Sequence, residues 1–208
     1  MITRGGVCGI AGAPLSPSLP ECGRLQAVTG IVVLLAGPAG AGKSTLAEGW
    51  CATRRLAAHV DVDQVWGLVR QGRVDRGDVH DPEQPVQWLA AVRATCALAR
   101  SLAESGADVV VTDVLRPSDA RGVWEPALRG LPVRLVAVLP SLSTCLQRAA
   151  GRGRDVPEAL VRLQYEASRR WDAERQLDTT GQEVPQSVEA LLRLLADPAS
   201  GWPEPAAP

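Results

Sequence analysis

The chain has 208 residues, 46% of them hydrophobic and 22% charged, with a net charge of -1, the composition of one ordinary globular domain with a buried core. That balance leaves no basic surplus for a long nucleic-acid backbone, and six Trp, one Tyr and no Phe give few platforms for stacking bases. Five scattered cysteines without a C-x-x-C and only two histidines offer no clustered zinc site, and no apolar run reaches the length of a membrane span. The expected setting is cytoplasmic, with reduced thiols; Cys51 and Cys96 read as small core residues of helices.

In chain order, residues 1–28 are rich in Gly, Pro, Ser and Ala without periodicity. They are expected to form a disordered leader, since Gly9 to Leu15 is too short for the core of a signal peptide. The domain is expected over 29–196 and a second disordered segment over 197–208, where four prolines fall in twelve residues. Ile31 to Ala36 is a continuous apolar run ending in a glycine turn, the pattern of a strand buried on both faces. A helix should follow from Lys43 to about Arg55, then a strand over His59–Val62 and a helix from Asp63 to Arg70. The polar stretch from Gln71 to Pro85 reads as a long loop. From Val86 to Glu104, Leu89, Val92, Cys96, Ala99 and Ala103 recur at helical spacing, and Gly106 stands where a cap glycine would.

Asp108 to Thr112 is a third strand, ended by Asp113. A short helix over Ser118–Leu128 precedes a fourth strand, Val133–Leu139. Thr144 to Ala150 is helical until Gly151-Arg152-Gly153-Arg154 interrupts it. Asp155 and Glu158 have capping-box spacing, so a long helix is expected from there to about Glu174. A short strand over Leu177–Thr179 and a helix over Ser187–Leu195 complete the domain. Strands alternating with helices predict an α/β protein with a parallel sheet and right-handed crossovers.

The most specific motif follows the first strand. Gly37-Pro38-Ala39-Gly40-Ala41-Gly42-Lys43-Ser44-Thr45 fits G-x-x-x-x-G-K-[ST], the phosphate-binding P-loop. Lys43 is the only lysine; the other twenty-one basic residues are arginines. A compact ammonium can lie along a phosphate chain inside a tight loop, where a planar guanidinium fits badly. Loop amides would wrap the β-phosphate at the helix N-terminus, Lys43 would bridge the β- and γ-phosphates, and Ser44 would hold Mg²⁺.

Other residues bear on the chemistry. Asp61 and Asp63 stand at the end of the second strand, where ligands of parallel sheets lie. If that strand stayed extended, both would face one side, and either could orient or deprotonate an acceptor hydroxyl. Asp63 also reads as the N-cap of the next helix. Asp113, ending an apolar strand, could hold Mg²⁺ or position the acceptor, with Arg116 within reach of it. Arg148, Arg152 and Arg154 around two glycines suit a lid that covers the transferring group. Arg162 and Arg169 read as surface charges, and Thr179-Thr180-Gly181 is placed where an adenine ring would pass.

With these pieces in order, the chain resembles small P-loop kinases of the nucleoside-monophosphate-kinase-like group. The likeness rests on GPAGAGKST, HVDVDQVW, VVVTDVL, LQRAAGRGR and LDTTG, and spans about Ile31 to Leu195. It is nearest to chloramphenicol-phosphotransferase-like kinases, with gluconate kinase and adenylylsulfate kinase as relatives. The resemblance implies a three-layer P-loop NTPase fold, a five-stranded sheet of order 2-3-1-4-5, an arginine-bearing lid and ATP with Mg²⁺ as donor. It also implies a small-molecule hydroxyl as acceptor, in a monomer or homodimer. A nucleoside, nucleotide-sugar or RNA-end kinase is the second reading, and a nucleotide-dependent ATPase switch the third. No N-K-x-D is present, which argues against a GTPase.

Overall fold

Three strands with no polar face fill the middle of the sheet. They are β1 (Val32–Ala36), β3 (Asp108–Asp113) and β4 (Val133–Val138), and every β1 residue is buried. Buried on both faces, such runs need helices above and below, and a parallel sheet provides them through its crossovers. The computed structural model describes residues 29–75, 78, 80–151 and 156–197. The expected leader, residues 198–208, and Arg152, Gly153, Arg154 and Asp155 lie outside the described residues.

The sheet has five parallel strands in the order β2-β3-β1-β4-β5, with β2 at Ala57–Asp61 and β5 at Gln176–Leu177. Alternate residues of β1 feed two cores. Val32, Leu34 and Ala36 face the long helix α3 (Gln84–Glu104), with Trp66, Trp124 and Trp171 around it. Val33 and Leu35 face α1 (Lys43–Cys51) together with Trp50, Cys145, Val161 and Leu191. Each fully buried Val or Leu contributes about 1.5–3 kcal/mol relative to exposure, so this doubly covered strand is the thermodynamic centre of the domain. Among the described residues no helix is long and apolar enough to cross a membrane.

The structure moves several boundaries. α1 stops at Cys51, and Arg54, instead of continuing it, stacks on Trp50 at 4.7 Å and pairs with Asp108 at 3.7 Å. The second strand ends at Asp61, not Val62, and α2 spans Val62–Trp66. The Asp61 carboxylate accepts the Asp63 N–H at 2.8 Å, so Asp61 is the cap and Asp63 lies in the first turn. α3 begins at Gln84 with Pro85 in its first turn, a position that needs no N–H from it. Gly106 follows that helix with φ 91° and donates to the Ala103 carbonyl, a left-handed cap.

Pro117 opens a short helix, α4 (Pro117–Asp119), and α5 (Glu125–Leu128) ends the same segment. Between them Ala120–Trp124 forms a π turn, just ahead of Pro126, whose missing N–H breaks the regular ladder. α6 (Leu142–Ala150) starts at Ser141, whose hydroxyl caps Thr144. α7 spans Glu158–Ser168 and stops well short of Glu174, because Trp171 turns inward and donates its indole N–H to the Leu115 carbonyl at 3.2 Å. A 3₁₀ turn at Ala173–Arg175 then leads into β5. α8 (Val184–Ala196) starts before Ser187, at a capping box of Glu183 and Gln186.

Gly30 shows how closely these layers meet. Its N–H bonds the Ala103 carbonyl, and a methyl group on it would collide with the backbone carbonyl of Ala107. Gly30→Ala should therefore lower stability by about 1–3 kcal/mol. Chemical denaturation at unchanged m-value is the check; a wild-type midpoint would show that the β1–α3 junction can yield.

Candidate phosphate-binding and acceptor site

The loop from Gly37 to Thr45 leaves the C-terminal end of β1 and enters α1, the strand–loop–helix setting its motif requires. It is wedged between other backbones. A Cβ at Gly37 would meet the Val138 carbonyl at the end of β4, and one at Gly40 the Cys145 carbonyl of α6. Gly42 enters the helix with φ 92°, a left-handed geometry that glycine adopts without strain. Among the described residues the amides of Gly40, Gly42 and Ser44 meet no acceptor. They form a cluster of donors at the positive end of the α1 dipole.

Two cations converge on it. Lys43 Nζ curls back to the carbonyls of Gly37 and Pro38, each at 2.9 Å. Arg148, in the last turn of α6, brings a guanidinium nitrogen to 3.4 Å from where a Cβ on Gly42 would stand. Cys145, buried beneath the loop, reports both charges: burial pushes its thiol up, and Lys43 and Arg148 pull it partly back. Arg152, expected on the same lid, lies outside the described residues.

The acids line the same sheet edge. Ala36, next to Gly37, is in register with Asp113 on β3. Asp113 is buried, and its Oδ1 accepts the Val114 N–H at 2.7 Å. One row back, Leu35 pairs with Thr112, which pairs with Asp61 on β2. Thus the strand order sets Asp113 and Asp61 at successive steps away from the loop. Since the helix begins at Val62, Asp61 and Asp63 do not share an extended strand face as the sequence suggested. Asp61 is half-buried and committed to capping, whereas Asp63 is exposed.

Beyond α2 the expected long loop is partly tied down. Trp66 Nε1 donates to the Val74 carbonyl at 3.2 Å, and Gln87 of α3 accepts from Val74 N at 3.0 Å and donates to the Gly72 carbonyl at 2.7 Å. Leu68 and Val69 stand exposed beside this clamp. Arg116 is turned to Asp119 at 2.9 Å rather than toward the acids. Arg162 and Arg169 pair with Glu158 and Glu166 on the outer face of α7. Asp178 caps the turn after β5 by accepting the Thr180 N–H at 2.8 Å, and the Thr180 hydroxyl accepts Ser141 N at 2.7 Å, which sets Thr179–Gly181 beside the start of α6.

Gln164, which carries no motif, and His59, at the head of the HVDVDQVW segment, also belong to this region. Gln164 of α7 accepts the Ala39 N–H of the loop at 2.9 Å. His59, one strand turn before Asp61, sits 3.0 Å from the Thr112 hydroxyl. Burial holds the His59 imidazole below its ordinary range, against smaller opposing effects of Asp61 and Glu48.

Because the folded pKa of His59 is depressed, its contribution to stability is complete above the unfolded value near 6.5 and is lost as pH falls toward the folded value. The melting temperature of the wild type should thus fall more steeply below about pH 6.5 than that of His59→Gln. Parallel pH profiles for the two proteins would show that His59 is protonated equally in both states.

Similarity to known proteins bears on the fold. A family model described as AAA domain matches residues 32–176. A gluconokinase from Sinorhizobium meliloti 1021 superposes with a TM-score of 0.56 at 22% identity, covering 81% of this chain and 93% of that one. The tunicamycin resistance protein of Deinococcus radiodurans gives 0.57 at 17% identity, with 80% and 94% covered. The Mycobacterium tuberculosis APS kinase CysC, in complex with AMPPNP and APS, gives 0.54 at 19%, with 81% and 99% covered. Among curated proteins none matches the sequence. The fold is that of the P-loop kinases.

Proposed function

The chain belongs to the AAA domain family, and on that footing we propose that it is an ATP-dependent phosphotransferase acting on a hydroxyl of a small molecule. The observation that carries this reading is the convergence of Lys43 and Arg148 on the donor-rich start of α1, with carboxylates ranged along the same sheet edge. A site for binding alone has no use for that second half.

In this reading the β-phosphate takes the loop amides, and Lys43 exchanges the Gly37 and Pro38 carbonyls for β- and γ-oxygens. Arg148, with Arg152 from the adjoining segment, offsets the charge on the transferring group. Ser44 and Asp113 are oxygen donors of the kind Mg²⁺ prefers, two protein oxygens sufficing where phosphates and waters complete the shell. Bound there, Mg²⁺ would neutralise charge on the β- and γ-phosphates. Asp61 holds the first turn of α2 in place, and Asp63 on that turn orients the acceptor hydroxyl and takes its proton. The acceptor oxygen forms a bond to the γ-phosphorus as the bond to the bridging oxygen breaks, and ADP leaves.

The gluconokinase and the APS kinase are named for small acceptors, which supports an acceptor of that size here. A cytoplasmic setting follows from the same reading. The acceptor face, between α2 and the Trp66–Val74–Gln87 clamp, offers apolar Leu68 and Val69 as well as acids. That mixture suits a polyhydroxylated compound with an apolar side, among which aminocyclitols, sugars and antibiotics are the first to screen.

Lys43→Ala should abolish ATP binding and transfer while circular dichroism stays that of the wild type; retained transfer would sink the loop assignment. Asp63→Asn should bind ATP normally and lose transfer by about 10²-fold or more. Mass spectrometry of hydroxylated metabolites incubated with ATP gives the readout, as a gain of one phosphoryl group. Steady ATP hydrolysis driven by a protein partner, with no compound phosphorylated, would instead favour an ATPase switch.

A further inference from the structure

The outer arm of the phosphate loop is held by a residue from far away in the chain. Gln164, in the middle of α7, accepts the Ala39 N–H at 2.9 Å across 125 residues of sequence. A backbone N–H can only donate, so the atom facing it must be the side-chain carbonyl Oε1. With Oε1 taken by the Ala39 N–H, Nε2 is left as the donor of the carboxamide. Among the described residues Nε2 meets no acceptor.

The location gives that donor a meaning. Lys43 Nζ lies against the carbonyls of Gly37 and Pro38, so the arm from Gly37 to Ala39 flanks the part of the phosphate chain that the ammonium bridges. The amides at the start of α1 serve the β-phosphate; the arm lies toward the γ-phosphate. α7 also follows directly on the segment that joins it to α6, which carries Arg148. Helices on both sides of that segment therefore press on the loop, α6 through the Cys145 carbonyl at Gly40 and α7 through Gln164 at Ala39.

We propose that Gln164 is a γ-phosphate-positioning residue: Oε1 holds the loop arm at Ala39 while Nε2 donates a hydrogen bond to a γ-phosphoryl oxygen. This rests on the loop binding ATP as described above. It also ties the loop arm to α7. ADP has no γ-phosphoryl oxygen and gains nothing from Nε2. Gln164 therefore separates the two nucleotides.

The test is calorimetric titration of the full chain with ADP and with a non-hydrolysable ATP analogue, both with Mg²⁺, in wild type, Gln164→Leu and Gln164→Glu. Gln164→Glu keeps an acceptor for Ala39 but lacks the donor, so it separates tether from donor. Both variants should weaken the ATP analogue by about tenfold or more, the scale of one hydrogen bond to a charged group, and change ADP by about twofold or less. Should Gln164→Leu fail to fold, Gln164→Met, uncharged and of similar length, takes its place, since the charge of Gln164→Glu by itself repels a γ-phosphate. Equal weakening of both nucleotides would reduce Gln164 to a support of the loop, and unchanged affinities would remove it from the site; either overturns the inference. A wild type that binds neither nucleotide would overturn the phosphotransferase reading itself, a different outcome from either.

Discussion

The whole site depends on how little room is left around the phosphate loop. Gly37 and Gly40 press against the carbonyls of Val138 and Cys145, so the loop passes between the end of β4 and α6 with no space for a side chain at either glycine. Close approach of backbones fixes a loop more rigidly than side-chain packing does, because peptide planes cannot change rotamer. The donors at the start of α1 are consequently aimed before any ligand arrives, and preorganised dipoles need no reorganisation during the chemical step. Strand order extends the effect. With β1 between β3 and β4, the loop emerges beside Asp113 on one flank and α6 on the other.

The distribution of charge follows from the same geometry. Lys43, the only lysine among 22 basic residues, occupies a place where a carbonyl-lined loop admits a compact ammonium. Arg148 approaches from outside the loop, where a fork has room. The Cys145 thiol lies close enough to feel both cations, yet burial dominates and keeps it protonated, as burial does at Cys96, pushed up to about 12. Neither thiol competes with the phosphate-binding groups as an anion.

What the sequence made legible was local. The P-loop declares itself in nine consecutive residues, and Val32–Ala36, Asp108–Asp113 and Val133–Val138 are apolar enough to read as inner strands. The strand order came with the family likeness, since periodicity alone does not order strands. At Asp61 and Asp63 the sequence pointed to Asp63 as the cap of α2, and the structure gives that place to Asp61. A carboxylate two residues before an N–H suffices to start a helix, and only the backbone at Asp61 shows which acid took that place. Gln164 was not legible at all. A glutamine at mid-helix carries no motif, and its partner Ala39 is 125 positions away. Likewise the end of α7 is set by Trp171 reaching Leu115, a tertiary contact that no capping pattern announces.

These contrasts explain why donor and acceptor halves of one site differ so much in how they can be read. The donor half is built from backbone, and the backbone demands glycines and a lysine at fixed spacing, which leaves a motif. The acceptor half, as we propose it, is built from α2, the clamp of Trp66 and Gln87 on residues 72–74, and the exposed Leu68 and Val69. Its shape comes from side chains that grip a loop from two helices, and many residue choices could grip it as well. A phosphate chain is the same in every ATP, so the loop that holds it is constrained to one pattern. The acceptor differs from enzyme to enzyme, and the surface that selects it is free to differ too. In the proposed site Asp63 stands where the two halves meet, since it lies on the first turn of a helix whose start is fixed by Asp61 at the edge of the sheet.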